Sequence, residues 1–243
     1  MRDLKGKTYW IIGASDGLGE QIARQMQARG ARLILSARSA DRLATLADEL
    51  DATALPLDVT DAAAVARAAQ AGQLADGLVY SVGLYEPMSA PDWQPETAVK
   101  MAEANFLGAL RVLGHVVPHW VRRGSGHVVL IGSLVGFRGL PGVIGYGASK
   151  AAVNHLAENM LTDLRGTGVE VQLANPGFIR TRLTDKNDFN MPQIQQPEEA
   201  AADVLRLIDG HGWVRNFPRP FAWVFTLGRF LPFRLFSRLI SSG

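Results

Sequence analysis

The sequence predicts an α/β protein, a single domain built on a doubly wound parallel sheet with helices on both faces. Three observations carry this. Short β-branched or aliphatic runs alternate with helical patterns of ten or more residues, the order that parallel strands and crossover helices produce. Parallel crossovers are right-handed, so such a sheet is covered on both sides. A glycine-rich loop also separates the first run from the first helix, where sheets of this kind hold ligands.

Taken in order, Thr8 to Ile12 reads as a strand and Gly17 to Arg29 as a helix closed by Gly30. Arg32 to Ala37 is the second strand, and the next helix begins near Asp41, a residue suited to an N-cap. Thr53 to Leu57 is the third strand, followed by an alanine-rich helix from Asp61 to Ala71. Leu78 to Val82 is the fourth, and a long helical pattern runs from Glu96 to Arg122. His127 to Ile131 is the fifth, Tyr146 to Arg165 a helix, and Val169 to Ala174 the sixth strand. The chain divides by character into residues 1–212 and a basic, aromatic extension of the same domain, residues 213–243.

At 243 residues, with 47% apolar and 20% charged residues, the chain suits one globular domain. The absence of cysteine excludes disulfides, a thiolate zinc site and a cysteine nucleophile. A net charge of +2 gives no reason to expect nucleic acid. Met1 to Lys7 holds no apolar segment before a cleavage site, and no run of eighteen apolar residues occurs. The expectation is a cytoplasmic protein.

The loop Gly13-Ala14-Ser15-Asp16-Gly17-Leu18-Gly19 follows the first strand. Glycine lets the backbone turn sharply and approach a pyrophosphate with no Cβ in the way. The helix N-terminus adds unpaired N–H groups and a dipole that favours an anion. Gly13, Ser15, Gly17, Leu18 and Gly19 are therefore the candidate dinucleotide contacts, although such a turn also serves simply to join strand to helix. After the second strand, an acid would bond the ribose of NAD, whereas a cation would pair with the 2′-phosphate of NADP. Ala37-Arg38 stands there, so Arg38 points to NADP(H), with NAD(H) as the alternative. Asp16 is a counter-signal, since it adds negative charge beside the phosphates.

Tyr146 and Lys150 are four residues apart and share one helix face. A tyrosine working as acid or base near neutral pH needs its pKa lowered from about 10, and a neighbouring ammonium does this by favouring phenolate. Ser133 ends the fifth strand, thirteen residues earlier. There its hydroxyl could donate to a substrate oxygen on which charge develops.

Together the glycine loop, Ser133, Tyr146, Lys150 and Asn175-Pro176-Gly177 resemble the short-chain dehydrogenase/reductase family, from Thr8 to about Thr181, and so imply a Rossmann-type fold. The resemblance implies that Asn105 holds a water in a proton relay. It implies that Asp58 and Val59 contact the adenine, and that Pro176, Gly177, Ile179 and Thr181 line the nicotinamide and phosphates. It also implies a homodimer or homotetramer. Two positions depart from the family pattern: Ser81-Val82-Gly83 replaces Asn-Ala-Gly, with Gly83 keeping room for the cofactor, and Ile12 replaces threonine.

The implied activity is hydride transfer between NADP(H) and a carbonyl or alcohol carbon. The competing readings are a catalytically silent dinucleotide-binding regulator and a methyl transferase sharing the first loop; neither needs the serine, tyrosine and lysine together. Leu134, Val135, Tyr85, Phe137 and Phe178 are expected to border the substrate, which their character makes lipophilic. His115 and His119 have chelating spacing but no third ligand, so no metal is expected. His155 reads as a packing or surface residue, Trp10, Trp93 and Trp120 as core, and Asp163 and Arg165 as a solvated helix end. Past Asp209 the sequence has no acid, while Arg215, Arg219, Arg229, Arg234 and Arg238 alternate with aromatics. This tail is too short to span a bilayer and suits either a membrane surface, making the protein peripheral, or packing on its own core or a partner subunit.

Overall fold

The computed structural model describes residues 1–186 and 191–241. Its strands are β1 (Thr8–Ile12), β2 (Arg32–Ser36), β3 (Thr53–Ala54), β4 (Gly77–Tyr80), β5 (Gly126–Ile131), β6 (Val169–Pro176) and β7 (Val214–Phe217). They form one parallel sheet in the order β3-β2-β1-β4-β5-β6-β7. The helices are α1 (Gly17–Gln27), α2 (Ala40–Leu50), α3 (Ala62–Leu74), α4 (Pro95–Ala102), α5 (Gly108–Arg123), α6 (Ile144–Asp163), α7 (Pro197–Asp209), α8 (Phe221–Gly228) and α9 (Phe233–Ser241).

Strand β1 shows why both faces must be covered. Successive side chains point to opposite sides, and both sets are apolar. Tyr9 and Ile11 join one core with Leu18, Ile22 and Met26 of α1, Leu43 and Leu46 of α2 and Val204 of α7. Trp10 and Ile12 join the other with Val65 of α3, Val112 and Val116 of α5 and Val153 of α6. A sheet buried on both faces needs strands apolar throughout, and β4 and β5 obey: Gly77–Tyr80 and His127–Ile131 are buried.

Several boundaries differ from those read in the sequence, each for a local reason. Strand β3 has two residues instead of five, because Pro56 has no N–H to give an edge ladder. Leu55 and Leu57 still donate to the Leu35 and Ala37 carbonyls on either side of it. Ser39, not Asp41, is the N-cap residue of α2. Asp61 caps α3, accepting hydrogen bonds from the Ala63 and Ala64 amides. The long helix predicted over 96–122 is broken into α4 and α5 by a π-helical stretch, Glu103–Leu107. Trp10 and Trp120 are fully buried as expected. Trp93, read as core, is 54% exposed, in the connection before α4 where no core reaches it.

Strand β7 lies inside the segment read as an extension, so the chain from 213 onward begins by completing the sheet. Arg215 on β7 is tied to Asp203 of α7 at 2.7 and 3.0 Å, and Arg206 and Gln195 bond the same carboxylate. Burial alone would raise the Asp203 carboxyl, but these partners hold it below the usual carboxylate range. Arg215 therefore belongs to the body of the fold rather than to the basic tail. Among the described residues no helix is long and apolar enough to cross a membrane.

Candidate active site

In the sheet order the chain turns back at β1, leaving β4 as the neighbour on its other side, and ligands of doubly wound sheets gather at that crevice. A cleft of about 850 Å³ opens there. Its wall includes Gly13, Ser15, Gly17, Leu18 and Gly19 from the first loop, Arg38 after β2, Asp58 and Val59 after β3, and Gly83 after β4. Tyr146 and Lys150 of α6, with Pro176 at the end of β6 and Gly177, Ile179 and Thr181 just beyond it, complete it. Sequence reasoning thus named residues that the fold brings to one cleft from six separate loops and helices. Among the described residues no cluster of metal-ligating side chains occurs.

The glycine loop can accept no side chains at two points. Gly13 has φ +90°, and a Cβ there would lie 2.8 Å from the Ser81 carbonyl. A Cβ on Gly19 would lie 2.0 Å from the Gly13 carbonyl oxygen, so the loop folds back on its own helix. The feared negative charge of Asp16 is neutralised in place: Arg182 forms an ion pair with it, and Arg42 stands 3.9 Å away. Arg42 was not singled out in the sequence, yet it lines the cleft with Arg38, four residues on and one turn into α2. Arg182 and Lys186 were also missed. Lys186 donates to the Tyr85 carbonyl at 3.0 Å and pairs with Glu86, joining the chain after β6 to the chain after β4.

Behind the cleft, Asn105 sits fully buried in the π-helical stretch. Its carboxamide grips Leu84 from both sides, accepting from the amide at 2.7 Å and donating to the carbonyl at 2.9 Å. It also donates to Ser149 Oγ at 2.9 Å, and Ser149 donates to the Tyr146 carbonyl at 2.7 Å. Asn105 thus braces the loop after β4 and links that loop to α6.

Ser133 is buried at the end of β5, where its hydroxyl accepts from the Val135 amide at 3.3 Å. Lys150 Nζ donates to the Ile131 carbonyl at 2.9 Å and the Val82 carbonyl at 3.4 Å, 5.8 Å from the Tyr146 ring centre. Burial, rather than the Lys150 ammonium, sets the net direction of the phenol's shift. It pushes Tyr146 up to about 12, with Ser133 acting downward and Tyr85 adding to the rise. Burial likewise pulls the Lys150 ammonium down to about 8, so it stays mostly charged at neutral pH.

The expected substrate border divides. Tyr85 meets the Tyr146 ring edge-on at 5.1 Å. Leu134 is buried beneath α8 and α9 with Phe137, and Phe178 stacks near Phe221 at 5.7 Å. Val135 and Phe137 line a separate, mostly apolar cavity of about 650 Å³ with Met88, Leu140, Val143 and Ile144. Its α6 residues, Ile144, Gly147, Ala148 and Ala151, lie on a different face of the helix from Tyr146 and Lys150.

Comparison with known proteins agrees with this geometry. The family model for short chain dehydrogenases matches residues 7–191. An uncharacterized oxidoreductase of Myxococcus xanthus is 35% identical over 97% of both chains. A solved structure described as a putative beta-ketoacyl-ACP reductase is 30% identical over 84% of this chain and 90% of its own, with a TM-score of 0.76. A short chain dehydrogenase from Burkholderia cenocepacia, solved in complex with NADP, shares the fold with a TM-score of 0.88 over 98% of this chain and 99% of its own, at 23% identity. The chain therefore belongs to the short-chain dehydrogenase/reductase family and is an oxidoreductase.

Proposed function

We propose that the protein transfers hydride between NADP(H) and a carbonyl or alcohol carbon of a lipophilic substrate, with Tyr146 as the proton donor and acceptor. The observation that carries this reading is Tyr146 and Lys150 standing one helical turn apart on the wall of a cleft built around a glycine loop, with the buried Ser133 near enough to act on the phenol's acidity. The loop fits a pyrophosphate, since its glycines leave the backbone bare. The exposed Arg38, with Arg42 beside it, fits a 2′-phosphate and favours NADP(H) over NAD(H). When bound, the dihydronicotinamide supplies two electrons and a hydrogen to the carbonyl carbon.

The chain's residues manage the oxygen. As the carbonyl carbon gains hydride, its oxygen becomes an alkoxide, a stronger base than phenolate, and Tyr146 gives it the phenolic proton. The Ser133 hydroxyl donates to the same oxygen as charge develops. Lys150 then stabilises the phenolate left on Tyr146. Asn105 is a positioning residue, its side chain committed to Leu84 and Ser149; that it also holds a relay water is carried by the family resemblance alone. Oxidation of the alcohol runs these steps in reverse. No observation favours a silent regulator: Tyr146 and Lys150 line the cleft, and Ser133 is buried next to Gly132, which lines it too. Two further parts of the reading are a homo-oligomer, carried by the family, and a peripheral membrane position, supported by the apolar side chains that α8 and α9 expose.

Titration of both reduced cofactors by fluorescence tests the assignment. NADPH should bind tighter than NADH, by a charge-assisted contact worth about 1.5–3 kcal/mol. Arg38→Asp should reverse the order. A wild-type protein that prefers NADH would refute the cofactor assignment.

A further inference from the structure

Helices α8 and α9 have two faces of opposite service. Inward, Ala222, Phe225 and Phe236 pack on Leu134, Phe137 and Leu140. Arg138 holds the pair down by donating to the Gly228, Arg229 and Leu231 carbonyls while its guanidinium lies over Phe236. Leu134 adjoins Ser133 in sequence, and a row of rings runs from Phe178 through Phe221 and Phe225 to Phe236. Phe178 follows Gly177, which lines the cleft. The inner face therefore covers ground between two walls of the site.

Outward, the same helices leave apolar side chains in water. Trp223 is 52% exposed, Leu227 65% and Phe230 74%, with Phe233 and Leu235 beside them. Large apolar side chains exposed this densely over one short stretch of chain mark an interaction site. Around it stand the exposed Arg219, Arg229, Arg234 and Arg238, and the sequence carries no acid after Asp209. Apolar side chains among arginines complement anionic headgroups over acyl chains. A two-fold pairing of this face with itself would set the same arginines against one another. Neither helix is long enough to cross a bilayer, so the pair would lie in the interface.

We propose that α8 and α9 form a cover that docks on an anionic lipid bilayer and roofs the substrate space, so that a bilayer-dissolved carbonyl or alcohol compound reaches Ser133 and Tyr146 from the membrane side. This deepens the oxidoreductase reading and rests on it. The partner is the lipid surface, and the substrate class is aliphatic compounds that partition into it.

The test is flotation of the full-length protein with vesicles of phosphatidylcholine alone or with phosphatidylglycerol, at low and high salt. It is paired with rates on a short water-soluble ketone and on a long-chain ketone carried in the vesicles. The wild type should float with the anionic vesicles at low salt and be released by high salt. Leu227→Asp combined with Phe230→Asp, both on the outer face, should weaken flotation about tenfold or more. The same variant should keep its rate on the soluble ketone and lose about tenfold on the vesicle-borne one. The proposal is overturned if the wild type does not float, floats equally on neutral vesicles, or if the variant keeps its rate on the vesicle-borne ketone. A wild type that is a larger oligomer than the variant by light scattering, and does not float, would make this face a contact between copies instead. If no rate is seen on any ketone, the oxidoreductase reading fails on substrate while flotation still decides the surface.

Discussion

Two tyrosines at opposite ends of the sheet have the same acidity and different lives. Tyr9 of β1 and Tyr146 of α6 are both pushed up to about 12, in each case chiefly by burial. Tyr9 bonds His127 Nδ1 at 2.8 Å, and His127 Nε2 meets Gln172 Oε1 at 2.9 Å. Gln172 in turn donates to the Leu207 and Gly212 carbonyls. That circuit closes on the backbone and holds β1, β5 and β6 to the end of α7. Tyr146 instead stands at the wall of a cleft, with an ammonium one helical turn away and Ser133 acting to lower the phenol's pKa. A raised pKa thus marks burial, and chemistry comes from access and from the partner that can accept charge.

The sharpest way to break this comparison is to remove each hydroxyl. Tyr146→Phe should leave folding and NADPH binding nearly intact but cut turnover by about 10²-fold or more. Tyr9→Phe should leave turnover unchanged and destabilise the protein by about 1–3 kcal/mol, since His127 Nδ1 would be buried without a partner. Steady-state rates and urea unfolding of the two variants decide it. Equal loss of turnover in both would erase the distinction.

The next effect separates the two ends by pH. Burial lowers His127 to about 4 from its ordinary 6.5. The unfolded chain therefore takes up this proton at a pH where the folded chain does not. The resulting stability is fully present above about 6.5 and is lost as pH falls through the folded value. The loss should reach about 3 kcal/mol, an order-of-magnitude figure. Urea midpoints between pH 7 and 4 measure it, and His127→Gln should flatten the dependence.

The smallest effect belongs to Lys150, whose ammonium burial lowers to about 8. The charge that favours phenolate is present below this value and lost above it. Carbonyl reduction should therefore slow as pH rises through about 8, by about tenfold between pH 7 and 9. Lys150→Arg retains its charge and should lack that inflection, whatever its absolute rate. A rate profile with the same break in both would remove Lys150 from the proton chemistry.

What the sequence made legible is what depends on local spacing. The glycines of the first loop, Tyr146 with Lys150, and Ser133 at a strand end are patterns a few residues long. Those patterns sit on elements whose order alone fixes a parallel sheet. What it hid depends on distance. Arg182 neutralises Asp16 across 166 residues, and nothing near either residue announces it. Strand β7 is four residues set among arginines and prolines, so it reads as tail until Asp203 of α7 is seen to hold Arg215. The burial that raises Tyr146 is likewise a property of the assembled site; read from the helix alone, Lys150 looked like the dominant influence.

The turn after β2 has a consequence for how this protein can diverge. Ala37 is buried and anchors the strand end, accepting from the Leu57 amide at 3.0 Å, whereas Arg38 next to it is exposed and belongs to neither core. The glycines at 13 and 19 cannot change without collision, but the side chain at 38 carries no part of the fold. On the proposed reading, the choice between the cell's two nicotinamide pools is written on a replaceable surface residue. Descendants of this chain could move from one redox economy to the other by changes there, with catalytic residues and folding stability left alone.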